Sequence, residues 1–349
     1  MAKKISKEFS LILVLLFIKF NIGFSQAKEF NTLRMMFYNV ENLFDIFDDS
    51  LKNDNDFLPS GVLRWNNSRY NNKINSLYKT IVSAGEWSPP EVVAMCEVEN
   101  RKVLEDLIYG TYLAKYKYRI IHEESPDQRG IDVCIIYRSD VLSLISSDYL
   151  MPDGIKQEIF TTRKVLYSRF KFRDDTIHLI VNHWPSRRGG VLAGESMRLR
   201  IANMVKEKAD SISLSSLSGS KIIIMGDFNS TPDDQEIKIL TYDNSDVSRI
   251  VNLSEDMAEE GSGTYRYQGT WEMIDQVLVS EFLLKSSKGL YTETAFFSIL
   301  KTDFLLMKDP KYPGFTPFST YRGYRYQGGF SDHLPVLLKL IFREQIQQE

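Results

Sequence analysis

Residues 221–229 read Lys-Ile-Ile-Ile-Met-Gly-Asp-Phe-Asn, an apolar run that ends abruptly in polar side chains. The run has the length and β-branched content of a buried strand, with Asp227 and Asn229 at its end. Polar residues also stand at the ends of four other apolar runs: Asn39, Glu97, Asn182-His183 and Asp332-His333. Because polar groups at strand ends gather along one edge of a sheet, we expect these side chains to converge in one cleft.

The pattern around this stretch predicts more strands than helices. Helical spacing occurs in residues 70–84, 101–108 and 196–212. Strand-like runs occupy residues 33–40, 92–98, 118–122, 131–137, 165–172, 177–181, 221–225, 273–279 and 334–340. Several neighbouring strands have no helix between them, which favours an α/β (α+β) fold of packed mixed sheets with helices outside.

Composition places the chain among ordinary globular proteins. It has 349 residues, 43% of them hydrophobic and 26% charged. No linker rich in Gly, Ser or Pro divides it, so we expect a single domain from residue 28 to 349. Cys96 and Cys134 lie in apolar runs and are interpreted as two buried free thiols, with a disulfide as the alternative in an oxidising compartment.

The N-terminus resembles a secretory signal peptide. Lys3, Lys4 and Lys7 precede a short apolar run from Leu11 to Ile18, and small residues follow before Ala27. The run is too short for a membrane span, which needs about 20 residues. We therefore predict that residues 1–27 are removed and that the protein is exported, to the periplasm or the medium. An uncleaved anchor is the alternative.

The polar residues at the strand ends are carboxylates, amides and two histidines, with no cysteine among them. Oxygen ligands of this kind suit Mg²⁺, Mn²⁺ or Ca²⁺, whereas structural zinc prefers thiolates and imidazoles. A divalent cation beside a His–Asp pair is suited to phosphate ester hydrolysis, because the cation offsets the growing negative charge and the pair manages a proton.

Five motifs then carry a specific resemblance. They are Tyr38-Asn-Val-Glu-Asn42, Cys96-Glu-Val-Glu-Asn100, Asn182-His-Trp184, Gly226-Asp-Phe-Asn229 and Ser331-Asp-His333, and Trp271-Glu-Met-Ile-Asp275 is a weaker sixth. In type and order they resemble the endonuclease/exonuclease/phosphatase superfamily, which includes deoxyribonuclease I and exonuclease III. The resemblance spans Leu33 to about Leu340 and implies a four-layer sandwich of two mixed sheets flanked by helices.

The resemblance also implies roles for the matched residues. Glu97 is the expected principal metal ligand, with Asn39 and Asp332 close by. Asp227 and Asn229 stand across the scissile phosphate, as further metal ligands or as catalytic groups. His333, oriented by Asp275, is the expected acid/base group, and His183 is expected to polarise a phosphate oxygen. Whether Asp227 or His333 takes the proton of water, and whether one metal or two is used, stay open.

Less specific segments supply candidate substrate contacts. Arg129 and Asp132 lie in a turn that leads into a strand, and Arg187 and Arg188 lie in a basic loop after Asn182-His183. Our candidate substrate-binding set is Arg129, Asp132, Asn182, Arg187 and Arg188. An Arg guanidinium can bind two oxygens of one phosphate at once. Two similar stretches, Thr264-Tyr-Arg-Tyr-Gln-Gly269 and Tyr324-Arg-Tyr-Gln-Gly328, could flank the cleft or be coincidence.

Charge bears on the substrate. The chain has a formal net charge of −3, and removal of residues 1–27 takes away four Lys and one Glu, which leaves −6. That balance supplies no broad basic groove for nucleic acid. The interpretation we favour is nevertheless a monomeric, exported nuclease acting on DNA or RNA, without a transmembrane span. Phosphoesterase activity on lipid head groups or inositol phosphates is the alternative, and a non-catalytic binding module is the second.

Overall fold

The architecture rests on two mixed β-sheets, seen in a computed structural model that describes residues 31–86, 88–152, 162–187, 194–216, 219–241 and 247–344. The first sheet has the strand order β13-β19-β1-β2-β4-β3, with β14 beside β19. Its strands are β1 (Thr32–Leu43), β2 (Val92–Val98), β3 (Tyr118–His122), β4 (Asp132–Arg138), β13 (Gly289–Tyr291), β14 (Phe297–Ile299) and β19 (Val336–Arg343). Only β1 and β2 pair in parallel; the other neighbours are antiparallel.

The second sheet has the order β5-β6-β7-β8-β12-β9. Its strands are β5 (Ser143–Leu150), β6 (Val165–Phe172), β7 (Asp175–His183), β8 (Lys221–Asp227), β9 (Ile250–Asn252) and β12 (Asp275–Ser280). Here β7 and β8 form the parallel pair. Three small hairpins complete the described strands: β10 (Tyr265–Tyr267) with β11 (Thr270–Glu272), β15 (Leu306–Lys308) with β16 (Phe315–Pro317), and β17 (Tyr321–Arg322) with β18 (Arg325–Tyr326).

Amphipathic helices cover the outer face of each sheet. The described helices are α1 (Asn67–Ser83), α2 (Arg101–Tyr109), α3 (Glu195–Leu214), α4 (Gln235–Thr241), α5 (Glu255–Glu259) and α6 (Glu281–Lys285). Asn66 caps α1 by accepting hydrogen bonds from the amides of Ser68 and Arg69. Buried Ile74, Leu77 and Ile81, at helical spacing, pack on the first sheet.

Apolar side chains also fill the space between the two sheets. Tyr137 of β4 and Phe170 of β6 meet edge to face with ring centroids 5.1 Å apart. On the far side of the second sheet, Ile201 and Val205 of α3 pack with Ile222 and Ile224 of β8. The order helix, sheet, sheet, helix confirms the predicted four-layer sandwich.

Other expectations meet the structure in different ways. Cys96 and Cys134 are both buried and free. Cys134 is opposite Met95 in the β2–β4 register, so the neighbouring Cys96 projects from the other face of the sheet. Within the described residues, no helix is long and apolar enough to cross a membrane. The signal-peptide region, residues 1–27, lies outside the described residues.

Candidate functional site

The catalytic candidates come from both sheets and meet where the strands end. Asn39 lies in β1 and Glu97 in β2 of the first sheet. His183 ends β7 and Asp227 ends β8, opposite each other in the parallel register, while Asp275 begins β12 opposite Asp227. The close approach of β7 and β8 requires glycine at 226, because a Cβ there would lie 2.3 Å from the carbonyl oxygen of Asn182.

The first-sheet strands are irregular at these positions. The β1–β2 register shifts between Asn39 and Leu43, and the β2–β4 register shifts between Cys96 and Val98. Glu97 has a left-handed backbone with φ of 62°, a conformation that costs a residue with a Cβ of order 1 kcal/mol. Its Oε2 accepts a hydrogen bond from the amide of Asn42 at 3.0 Å. The irregular segment thus turns Glu97 into the cleft.

Asp227 is the geometric centre of the site. Its Oδ2 accepts a hydrogen bond from Nδ2 of Asn39 at 2.9 Å, and its Oδ1 accepts one from the amide of Asn229 at 2.9 Å. The Nε2 atoms of His183 and His333 lie 3.8 and 3.9 Å from the same Oδ2. These two distances are too long for direct hydrogen bonds but allow one oxygen atom to bridge them. Burial raises the pKa of Asp227 to about 7.

His333 is held by a buried carboxylate. Its Nδ1 lies 2.6 Å from Oδ2 of Asp275, which is fully buried. Burial alone would lower the pKa of His333, but the charge and hydrogen bond of Asp275, with the charges of Asp227 and Asp332, raise it well above its usual value. His333 therefore holds its proton more strongly than a free imidazole, and its Nε2 lies 3.9 Å from Oδ2 of Asp227.

His183 has the opposite electrostatics. Burial lowers its pKa well below the usual value, and the positive charges of Arg163, Arg129 and His333 lower it further. Its Nε2 lies 3.8 Å from Oε1 of Glu97 as well as from Oδ2 of Asp227. Among the described atoms its Nδ1 is buried without a hydrogen-bond partner. A neutral imidazole between two carboxylates can donate a hydrogen bond to an oxygen placed there.

The donor set beside Glu97 suits a hard divalent cation. Glu97 and Asp332 line the cleft together, and each adds to the negative charge that the other experiences. Burial first, and then Glu97, raise the pKa of Asp332. Asn39 accepts the amide of Glu41 with its Oδ1 and donates its Nδ2 to Asp227. It therefore positions the Asp227 carboxylate and the backbone at Glu41. Clustered carboxylate oxygens suit a hard divalent cation.

Asn229 takes a structural position at the edge of the cleft. Its backbone is left-handed, with φ of 48°, and its Nδ2 donates to the carbonyl oxygen of Trp184 at 3.0 Å. The Asn229 side chain therefore joins the end of β8 to the end of β7, and its Oδ1 is the atom left for a ligand.

The cleft that the catalytic residues line has a volume of about 960 Å³. Aromatic side chains form much of its wall: Phe44, Phe57, Tyr265, Tyr267 and Tyr321. Tyr265 and Tyr267 come from the first of the two similar stretches, and Tyr321 and Gly323 lie beside the second. Tyr265 also contacts His333, with ring centroids 5.0 Å apart. The two hairpins thus flank the site.

The candidate substrate-binding residues divide into three groups. Arg129 and Arg187 line the cleft, although Arg187 is ion-paired with Asp234. Asp132 is buried, accepts the amide of Ser125 at 2.8 Å and pairs with His122 at 3.2 Å, so it fixes the turn before β4. Asn182 is fully buried, and its Oδ1 accepts the indole N–H of Trp184 at 3.0 Å. The structure therefore does not bring Asp132 and Asn182 to the cleft surface. Arg188 lies outside the described residues.

Sequence reasoning missed several residues of this site. Arg163 is buried and donates to the carbonyl oxygen of Trp184 at 2.6 Å and to Asp127 at 3.3 Å, which places a positive charge behind His183. The excluded cysteine is also close: Cys96 Sγ and ligand atoms of His183 and Asp227 lie within 4.8 Å of one another. Burial raises the thiol pKa well above its usual value, so Cys96 stays protonated. Arg163 lies outside the strand-end motifs, so no sequence pattern indicated its place near the site.

Comparisons with known proteins identify the family and the fold. Residues 34–341 match the model of the Endonuclease/Exonuclease/phosphatase family. The comparison with curated proteins finds no match for the sequence. An endonuclease/exonuclease/phosphatase family protein from Bacteroides thetaiotaomicron superimposes with a TM-score of 0.56 at 16% identity, over 90% of this chain and 99% of that chain.

Two other solved structures show the same fold with different substrates in their names. D. rerio TDP2 complexed with a single-strand DNA product has a TM-score of 0.53 at 12% identity and covers 89% of this chain and 99% of its own. A mannosyl-6-phosphatase from Bacteroides thetaiotaomicron has a TM-score of 0.54 at 17% identity and covers 89% and 100%. Similarity at this level establishes the fold and leaves the substrate to the cleft.

Proposed function

Because this chain belongs to the endonuclease/exonuclease/phosphatase family and is a phosphoester hydrolase, we propose that it is an exported, divalent-metal-dependent nuclease that cleaves DNA or RNA. The observation that carries the proposal is the position of Asp227 Oδ2, 3.8 and 3.9 Å from the Nε2 atoms of two histidines whose pKa values are shifted in opposite directions. A phosphodiester needs such a site, with a base for water and donors for the phosphate oxygens.

Asp227 is the base in this proposal. A general base works best when its pKa is near the working pH, and burial brings the pKa of Asp227 to about 7. His333 suits that role less well, because Asp275 raises its pKa well above the usual value. The Asn39 and Asn229 hydrogen bonds fix the carboxylate plane, so the bridging oxygen position beside Oδ2 is where the attacking water would sit.

The two histidines bind the phosphate in complementary ways. Imidazolium His333 offers a charged Nε2–H donor, which stabilises negative charge as it grows on the phosphate oxygens. Neutral His183 adds a second donor from β7 without a full positive charge. Because it is neutral, His183 does not compete with a bound cation for the carboxylates of Glu97 and Asp227.

Glu97 and Asp332 would hold the cation, which we propose is Mg²⁺ or Mn²⁺, with Asn39 supporting them. When bound, the ion supplies positive charge that polarises the phosphate and offsets its repulsion of the nucleophile. Asp227 and Asn229, on the opposite wall, are the residues that a second ion would use.

The aromatic walls favour a nucleic acid substrate. Bases stack on aromatic side chains with about 1–3 kcal/mol each, which gives affinity without a broad basic groove. Tyr267, with 54% of its surface exposed, and Phe57 stand in the cleft where flanking bases would lie. Arg129 and Arg187 are the nearby donors for neighbouring phosphates. Since stacking needs unpaired bases, single-stranded segments fit this cleft better than a duplex.

The experiment compares the protein with its Glu97→Gln and Asp227→Asn variants on single-stranded DNA, RNA and plasmid DNA, with Mg²⁺, with Mn²⁺ and with EDTA. We expect metal-dependent cleavage that both variants lose by at least about 10²-fold. Sphingomyelin and inositol phosphates belong to the same panel. Hydrolysis of one of these instead would keep the site and replace the substrate, and binding without hydrolysis of anything would favour the non-catalytic module.

A second candidate, a phosphomonoesterase of sugar phosphates, is favoured by one observation. Asp56 and Glu272 line the outer part of the cleft, where they would accept hydrogen bonds from sugar hydroxyls and repel a polyanion. Release of inorganic phosphate from hexose phosphates, lost in Asp56→Asn with Glu272→Gln but kept on a simple aryl phosphate, would establish this candidate over the nuclease.

A further inference from the structure

A buried cysteine that the proposed reaction does not use lies against the catalytic cleft. Cys96 is fully buried in β2. Its neighbour Met95 packs beside Cys134 on the helix-covered face of the first sheet, so by strand alternation Cys96 faces the second sheet. There its Sγ and one ligand atom each of His183 and Asp227 lie within 4.8 Å of one another. A thiol, an imidazole and a carboxylate therefore meet at one point.

His183 brings an unsatisfied imidazole to this group. Its side chain is 2% exposed, and its buried Nδ1 has no hydrogen-bond partner among the described atoms. Its Nε2 lies 3.8 Å from carboxylate oxygens of Glu97 and Asp227, which is beyond hydrogen-bond distance. Because buried polar groups are normally paired, an imidazole in this position indicates a ligand.

A second group of possible ligands in the described residues is already satisfied internally. Its members are Asp227, Asp275 and His333. Nδ1 of His333 and Oδ2 of Asp275 are bonded to each other at 2.6 Å, so each uses the other's capacity. In the Cys96 group, Asp227 Oδ2 accepts its hydrogen bond from Asn39 and keeps a second lone pair. The Cys96 group is therefore the better candidate for binding an ion.

The spacing of the Cys96 group is close to that of a zinc site. Ligand atoms no more than 4.8 Å apart leave an ion at their centre within about 2.8 Å of each. Zinc binds thiolate sulfur at about 2.3 Å and imidazole nitrogen or carboxylate oxygen at about 2.0–2.2 Å. Side-chain shifts of less than about 1 Å would complete three such bonds. His183 and Asp227 line the cleft, so an ion can enter from there and keep its fourth position toward water.

We infer that Cys96, His183 and Asp227 form a zinc-binding site that is separate from the oxygen ligands of the catalytic cation. Thiolate and imidazole prefer zinc, whereas Mg²⁺ prefers oxygen ligands and gives up its water reluctantly. Binding breaks the S–H bond of Cys96 and forms a Zn–S bond, and the proton passes to solvent.

Zinc at this position would inhibit the enzyme, a consequence that rests on the proposed function. The ion would bind the carboxylate of Asp227 that takes the proton of water and the imidazole of His183 that binds the phosphate. Its ligands do not include Glu97 or Asp332, so saturating Mg²⁺ should not relieve the inhibition. Zinc binding itself does not depend on the identity of the substrate.

Cobalt spectroscopy tests the site without using activity. Metal-free protein is titrated with CoCl₂ in excess MgCl₂, and ZnCl₂ then displaces the cobalt. Thiolate-bound Co²⁺ has a near-ultraviolet charge-transfer band that oxygen and nitrogen ligands do not produce. We compare wild type, Cys96→Ser and the matched control Cys134→Ser, which alters the other buried free thiol. We expect one zinc-displaceable Co²⁺–thiolate complex per chain in wild type and Cys134→Ser. Cys96→Ser should lack the band and bind zinc at least about tenfold more weakly.

Two results would overturn the inference: a wild type without a thiolate band, or a band that Cys134→Ser loses and Cys96→Ser keeps. Circular dichroism checks that each variant is folded. The chain has two cysteines, so a band in folded Cys134→Ser identifies Cys96 as the ligand even if Cys96→Ser does not fold.

Nuclease assays at saturating Mg²⁺ then test the inhibition, with each protein compared to its own zinc-free rate. We expect at least tenfold more zinc to be needed for half-inhibition of Cys96→Ser than of wild type or Cys134→Ser. Equal inhibition of all three would refute an inhibitory role for this site. If no nucleic acid is cleaved even without zinc, the proposed function fails, while the cobalt result still decides whether the site exists.

Discussion

At the residue scale, Asp227 shows function opposing stability. The folded protein raises its pKa to about 7, above the ordinary carboxyl value, so its charged form favours unfolding. The stability that the protonated form contributes is present in acid and is lost as pH rises through 7. Asp227→Asn cannot ionise. We therefore expect the variant, in EDTA, to have a Tm several degrees above wild type at pH 8 and no such advantage at pH 5.

The measurement is a thermal melt of both proteins at several values between about pH 5 and pH 8. Asn229→Asp serves as the matched charge control, because it adds a carboxylate beside Asp227 and should lower Tm most at the alkaline end. An equal Tm difference at every pH would show that the effect of Asp227→Asn comes from altered hydrogen bonds and not from removal of the charge.

Asp275 makes a second prediction at this scale, on the pH dependence of catalysis. It is what raises the pKa of His333 against the effect of burial. In Asp275→Asn the pKa of His333 should fall, so His333 loses its proton at lower pH. The alkaline limb of the kcat/KM profile should therefore shift to lower pH. At neutral pH we expect a loss of about 10²- to 10⁴-fold. Asp174→Asn, in an exposed turn, is the control and should leave the profile unchanged.

Residues differ in how well the sequence predicts their place. Glu97, Asp227 and His333 are polar residues at the ends of apolar strands, and the structure brings all three to one cleft. Asn182 has the same signal, but its side chain holds Trp184. Asp132, predicted from the turn before a strand, accepts a hydrogen bond within that turn instead of facing the cleft. Sequence position does not tell whether a strand-end side chain projects into the cleft or beneath it, since that depends on local register and bulges.

At the element scale, α1 is tied to the loop before β19 by a buried lysine. Lys73, 1% exposed, donates to Thr320 Oγ1 and to the carbonyl oxygen of Phe330, each at 2.6 Å. Nearby Glu41 accepts the amides of Thr320 and Tyr321. Lys73→Met should cost about 2 to 6 kcal/mol, because it leaves two buried acceptors, Thr320 Oγ1 and the Phe330 carbonyl oxygen, without their donor at about 1 to 3 kcal/mol each.

Chemical denaturation measures this cost, with Lys238→Met as the control. Lys238 lies in α4 and pairs with Asp233 at the surface, where an ion pair contributes about 0 to 1 kcal/mol. If Lys73→Met lost no more stability than Lys238→Met, the buried lysine would not be what fastens the loop to α1.

The sequence predicts long helices and strands more accurately than short ones. The β2 strand and the long helices α1 and α3 agree with the sequence pattern within a few residues. The hairpins β10–β11, β15–β16 and β17–β18 have strands of two or three residues, too short for any periodicity to register. Yet two of them place Tyr265 and Tyr321 in the cleft wall, so substrate contacts depend on the least predictable segments.

At the scale of the whole molecule, the site exists only where the two sheets meet. The Asn39–Asp227 hydrogen bond joins β1 of one sheet to β8 of the other. Repeated strand-end motifs in family order predict this convergence, but the order of strands in each sheet is a long-range property that local pattern does not encode. Ligands from one sheet that face residues of the other make cation binding and sheet packing interdependent.

Metal binding should therefore stabilise the entire fold. An ion that binds only the folded state adds RT ln(1 + [L]/Kd), about 2.7 kcal/mol at one hundred times Kd. We expect Mg²⁺ or Mn²⁺ to raise the Tm of the wild-type protein, EDTA to reverse the rise, and Glu97→Gln to abolish most of it. Glu86→Gln, which alters a side chain that is 72% exposed, should respond as wild type.

The same melts test which wall of the cleft holds the catalytic ion. We expect Glu97→Gln to lose the response to Mg²⁺ and Glu86→Gln to keep it. If Glu97→Gln responded to Mg²⁺ as strongly as Glu86→Gln does, Glu97 would not be the principal ligand, and the cation would have to be held by Asp227 and Asn229 on the opposite wall. That result would leave the fold intact, move the metal across the scissile phosphate and require a base other than Asp227.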